Sequence, residues 1–203
     1  MSTTHARRRR TTRIAHWLAV PIAILLSGAT IGTASYAAFS ATTTSPSSNW
    51  AAGTVALSDD DAATALFTAT NLQPGSTGTR CIAVTSSGSL ASAVRLYGTG
   101  AATTNALSSH ITLAITQGTG GTFAGGCAGF TALPSGSSVY SGSLANFGTT
   151  ATNYATGLGN WAPTGTAPET RVFRFVYTVD AGAPNTTQGG TAALGFTWEA
   201  QNN

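Results

Sequence analysis

Few residues of this chain could do chemistry, and they fall into small groups. Cys81 and Cys127 are the only cysteines. In an exported chain an isolated pair is most simply a disulfide, whereas a catalytic thiol would want a base beside it. Imidazole is scarce: His5 and His16 precede residue 38, leaving His110, and no H-E-x-x-H occurs. Strand parity puts His110 on a polar face, as a solvent-exposed side chain. Asp59, Asp60 and Asp61 form the one dense acidic cluster. Adjacent carboxylates repel, so a cation would relieve them, and calcium suits oxygen ligands; the alternative is a solvated turn after a strand. Glu169 and Glu199 would be a glycosidase pair only if the fold brought them together, and they belong to the ends of different predicted strands. Trp50, Trp161 and Trp198 could stack on a sugar. Trp198 shares a predicted strand face with Leu194 and Phe196 and reads as core, so Trp161, in a loop-like stretch, is the ligand-facing candidate. Without a single lysine the chain holds no phosphate-binding P-loop. No enzymatic group and no cofactor is expected from this inventory.

Charge is divided unevenly along the chain. All nine basic residues are arginine, and five of them (Arg7, Arg8, Arg9, Arg10 and Arg13) precede the apolar run that starts at Ile14. From Ala38 onward the formal net charge is −2, so the sequence pI of 9.2 describes the leader. Nucleic-acid binding by the remainder has no electrostatic basis. A basic n-region, an apolar stretch and the small residues Ser35 and Ala37 predict a signal peptide over residues 1–37, cut after Ala37. Membrane contact is then expected only through the uncleaved leader, and the mature protein is expected to be secreted, extracellular or at the cell surface.

These residues need elements to position them, and the pattern predicts strands. Residues 38–49 are a Ser/Thr-rich arm with one large apolar residue, Phe39; such a segment is flexible alone and can pair when extended. Strands are predicted at 49–57, 65–70, 79–85, 93–97, 110–117, 171–179 and 192–200, with 139–147 a strand or a short helix. The clearest are 110–117, with Ile111, Leu113 and Ile115 on one face, and 171–179, where Phe173, Phe175, Tyr177 and Val179 alternate with polar or smaller residues. The polar turn at 86–89 is either a hairpin or a crossing between sheets. Many short strands without a long helical period predict an all-β, two-sheet β-sandwich spanning residues 50–203.

The order of these segments carries a resemblance. Residues 34–61 run from small residues through an aromatic and a Ser/Thr tract to W-A-A-G-T-V-A-L and acids. P-G, then R-C-I-A-V-T, G-S-L and A-V-R-L-Y follow, and the chain closes on N-T-T-Q-G-G-T and F-T-W-E-A-Q. Together they resemble the TasA/camelysin family of bacterial surface and biofilm-matrix proteins, which are exported with their own type of signal peptide. The resemblance implies a jelly-roll-like sandwich and a structural protein that associates with itself into fibres or oligomers. It also raises camelysin-like metalloprotease activity, for which His110 alone is a poor ligand set. Assembly would use Ala38, Phe39, Ser40, Ala41, Thr42, Thr43 and Thr44 as a strand donated to the next subunit. The alternative is a monomeric module that binds a cell-wall or matrix polysaccharide through Trp161.

Overall fold

The computed structural model describes Ser40–Thr42 and residues 53–202. Strands dominate: β1 (Ser40–Thr42), β2 (Leu57–Asp59), β3 (Thr77–Ser86), β4 (Ser92–Thr103), β5 (Ile111–Thr119), β6 (Thr131–Ala132) and β7 (Ser138–Ser143). A short helix, α1 (Leu144–Thr150), precedes β8 (Leu158–Trp161), β9 (Glu169–Val179) and β10 (Ala192–Asn202). They form two antiparallel sheets, one in the order β1-β10-β4-β8 and the other β2-β3-β9-β5-β6, with β7 also on β5. The protein is an all-β two-sheet sandwich. No helix among the described residues is long and apolar enough to cross a membrane.

Alternation explains the inner faces. Ile111, Leu113 and Ile115 of β5, with Phe173 and Phe175 of β9, point into the sandwich and are all at most 6% exposed. The β1-β10-β4-β8 sheet answers with Val94 and Leu96 of β4 and with Trp198 and Ala200 of β10. Phe175 sits at the centre, its ring 4.7 Å from Phe196 and 6.0 Å from Trp198. Each such side chain removed from water contributes roughly 1.5–3 kcal/mol.

Several local expectations are refined. The turn after β3 crosses between the sheets, since β3 lies in one and β4 in the other. It is stitched to the entry segment by Ser87 N–H to Ala56 O and Ser89 N–H to Thr54 O, at 3.0 and 2.7 Å. Gly88 permits that approach: a Cβ there would fall 2.4 Å from the Thr54 carbonyl oxygen. The 139–147 stretch is both things in succession, β7 and then α1, because the Ser143 hydroxyl accepts from Asn146 N–H and starts a helix. That helix carries Phe147, 0% exposed, into the core. His110 closes a 3-10 turn before β5 instead of opening the strand, and it is half-buried, with Nδ1 3.9 Å from the Asp180 carboxylate.

Of the described part of the predicted strand 49–57, residues 53–57, only Leu57 is in a strand, β2, and the predicted strand 65–70 does not form. Residues 65–70 are not in either sheet. Leu66 and Phe67, adjacent in sequence, both pack against the core, which the strict alternation of a strand forbids.

Candidate functional site

Cys81 and Cys127 are joined, with their Cα atoms 5.1 Å apart. Cys81 lies on the outer face of β3 and is buried because the glycine-rich loop carrying Cys127 folds over it. Asp60 makes a second tie to that loop. Its Oδ1 accepts from Ala83 N–H of β3 and its Oδ2 from Phe123 N–H of the loop, both at 2.8 Å. Arg174 adds a third contact, its guanidinium 4.7 Å above the Phe130 ring.

This arrangement corrects the calcium expectation at Asp59, Asp60 and Asp61. Among the described residues no three His, Cys, Asp or Glu side chains gather as a metal-ligand set. Both oxygens of Asp60 are taken up by backbone donors, and Asp61 accepts from Ala63 N–H at 2.8 Å. Partial burial and a hydrogen bond from the Asp59 side raise the Asp61 carboxyl above its ordinary value, against the Ala63 N–H that lowers it. Asp61 therefore closes a turn and Asp60 pins a loop.

Trp161 is also corrected. It is 4% exposed, on β8, with its ring 6.4 Å from Phe173 and the Arg171 guanidinium 5.9 Å from its centroid. It is core and faces no ligand. Glu169 and Glu199 stay apart, on β9 of one sheet and β10 of the other. Glu169 accepts from the Thr164 N–H and hydroxyl, which hold its carboxyl below the usual range.

Glu199 anchors a polar cluster that the sequence did not announce. Its Oε2 accepts from the Tyr97 hydroxyl at 2.9 Å and its Oε1 from Gln201 Nε2 at 2.9 Å. Burial, the hydrogen bond to Glu199 and then its charge push the Tyr97 phenol up to about 12. A raised value means that the folded state keeps the proton. The stabilisation is present in full below the unfolded phenol's value near 10 and fades as pH rises through about 12. Ultraviolet titration should accordingly show one tyrosine ionising late in the folded protein, and Glu199→Gln should move it down. An unmoved late titration in that variant would contradict the assignment.

The remaining feature is an open edge beside a groove. The arm residues Ser40, Ala41 and Thr42 pair antiparallel with Gln201, Ala200 and Glu199 of their own β10. Ala38, Phe39, Thr43 and Thr44 lie outside the described residues, as do Trp50 and the leader, residues 1–37. Beyond Glu199, the outer edge of β10 over residues 192–198 has no partner strand among the described residues. Alongside it runs a groove of about 690 Å³ between the two sheets. It is lined by Leu194, Phe196 and Trp198 of β10, by Ile82 and Leu113 of the other sheet, and by Leu66 and Phe67. The groove offers apolar pockets next to free main-chain donors and acceptors, which is the combination an added strand needs. The sequence hinted at it only through the alternation of Leu194, Phe196 and Trp198.

No protein-family model matches the chain, and no curated protein matches it.

Proposed function

We propose that this is an exported, non-enzymatic structural protein of the cell surface or extracellular matrix, of the TasA/camelysin kind, with a jelly-roll-like sandwich that assembles with further copies of itself by strand donation. The observation that carries the reading is the edge of β10: three arm residues cover it at 199–201, and residues 192–198 have no partner there among the described residues, beside an apolar groove. An uncapped edge of that length is a template for pairing with another chain. Once its three-residue pairing with its own β10 is released, the arm, residues 38–49, would supply an extended segment of twelve residues, about 40 Å at ~3.3 Å each. Main-chain hydrogen bonds would give affinity, and Phe39 is the arm's best side chain for an apolar pocket. The disulfide supports an oxidising compartment for the domain, consistent with the leader. The alternative, a polysaccharide-binding module, loses its ligand platform with the burial of Trp161.

Removing residues 38–45 tests this. β1 contributes only a three-residue pairing at a sheet edge, so the truncated protein should keep the melting transition of a folded domain. It should elute as a monomer and form no fibres under the electron microscope, where the intact protein does. Fibres of unchanged form from the truncated protein, or an intact protein that stays monomeric at every concentration, would dispose of strand donation.

A further inference from the structure

Residues 65–70, A-L-F-T-A-T, have the composition of a strand and none of its partners. Among the described residues no hydrogen bond, backbone or side chain, engages the main chain of residues 65–72. The segment is held by its ends and by two anchors. Asp61 receives Ala63 N–H at the entry, and the exit turns at Asn71 and Gly75, both with positive φ (54° and 83°). In between, Leu66 and Phe67 lean on the core, with the Phe67 ring 5.0 Å edge-on to Tyr177.

Its position is as unusual as its bonding. The segment stands between two strand edges that lack a partner among the described residues. On one side is β10 across the groove of about 690 Å³, and on the other the first half of β3 across a smaller one of about 290 Å³, lined by Gly78, Thr79 and Arg80. β2 covers β3 only at residues 84–86. The unpaired residues 65–70 thus lie between two strand edges that have no second partner among the described residues: residues 192–198 of β10, paired on their other side with β4, and 77–82 of β3, paired on theirs with β9.

We infer that residues 65–70 are a conditional strand, unpaired in the monomer and recruited into the sheet when the arm of a second copy lies in the groove along residues 192–198. This rests on the strand-donation reading and adds a consequence to it. An extended chain in the groove presents one edge to β10 and the other towards residues 65–70, so that filling the slot supplies the missing partner for both walls. The segment then alternates, which brings only one of Leu66 and Phe67 to the interior and turns the other away.

Chain length points to a second copy as the occupant. The chain's own arm enters at Thr42 beside Glu199 and must reach Gly53, whose neighbour Leu90 lies near the same, C-terminal end of β10, two residues before the Ser92–Asn202 pair and far from residue 192. Covering residues 192–198 takes seven of the ten intervening residues. The three left span only about 14 Å counting the final link, whereas the return along β10 is roughly 25 Å or more. A separate copy has no such return to make.

Hydrogen exchange read by mass spectrometry tests this on the protein as recovered from the producing cell. It would be measured alone, in its assembled form, and with a millimolar synthetic peptide of the sequence of residues 38–49. Amides at 65–70 should exchange near the free rate in the monomer and slow by at least about tenfold, together with 192–198, once the groove is filled. Protection at 192–198 with none at 65–70 overturns the conditional strand while leaving strand donation standing. No protection at either site, with peptide or in assembled material, overturns both. Thr68→Pro supplies a second reading. It removes an N–H that is unbonded in the monomer, so the melting temperature should hold while protection at 65–70 disappears. Undiminished protection in that variant would also overturn the proposal.

Discussion

Replacing Cys127 with serine should lower the stability of the domain by about 4 kcal/mol, with the melting temperature falling by about 10 °C. The cross-link closes 46 residues of sequence, and the loss of that closure loosens mainly the unfolded chain. The folded state gives little back. Cys81 is 0% exposed, so the freed thiol remains buried, while the glycine-rich loop keeps only the Asp60–Phe123 hydrogen bond, the Arg174–Phe130 stack and the short β5–β6 pairing. Reductant should shift the wild-type melt by the same amount and leave the variant's unchanged. A wild-type protein that melts identically with and without reductant would mean that the loop is held by those lesser contacts.

Phe175→Ala should cost about 3–5 kcal/mol, read as a lower urea midpoint with little change in slope. The ring is 0% exposed and meets Phe196 and Trp198 across the sandwich at 4.7 and 6.0 Å, so its removal leaves a hole that β-sheet backbones cannot close. Phe175→Leu, which refills most of the volume, should lose less than half as much. The substitution also reaches the groove, because Phe196 and Trp198 form its β10 wall. A Phe175→Ala protein whose midpoint falls by less than the leucine variant's would show that the packing is looser than this geometry requires.

How much of this was legible in the sequence depended on local regularity. β5, β9 and β10 were plain because Ile111, Leu113 and Ile115, or Leu194, Phe196 and Trp198, repeat at the period of a pleated sheet. β8 was hidden. It is four residues long, and Gly157, Gly159 and Pro163 around it give the composition of a loop, so Trp161 read as exposed when its strand buries it. The error at residues 65–70 is of the opposite kind: composition reports what a segment can do, while pairing depends on which edge is within reach. The charge of Asp60 is plain in the sequence, but its role as a backbone clamp depends on Ala83 and Phe123, distant in sequence from it and from each other. The Tyr97–Glu199 pair, 102 residues apart, had no local signature at all.

The pairing of β4 with β10 also has a temporal side. Arg95 lies opposite Glu199 and Val94 opposite Ala200, so the central pair of the smaller sheet cannot zip until β10 has been made, about a hundred residues after β4. Cys81 likewise waits for Arg174 across β3 and β9. Contacts so remote along the chain oblige it to close large loops before any reward arrives, and sandwiches of this kind fold in roughly milliseconds to seconds. During synthesis the emerging polypeptide has no stable half-product to fall into. Trp198 and Phe196, which complete the interior, come after every other aromatic of the core, so the nascent chain remains threadable until β10 has emerged.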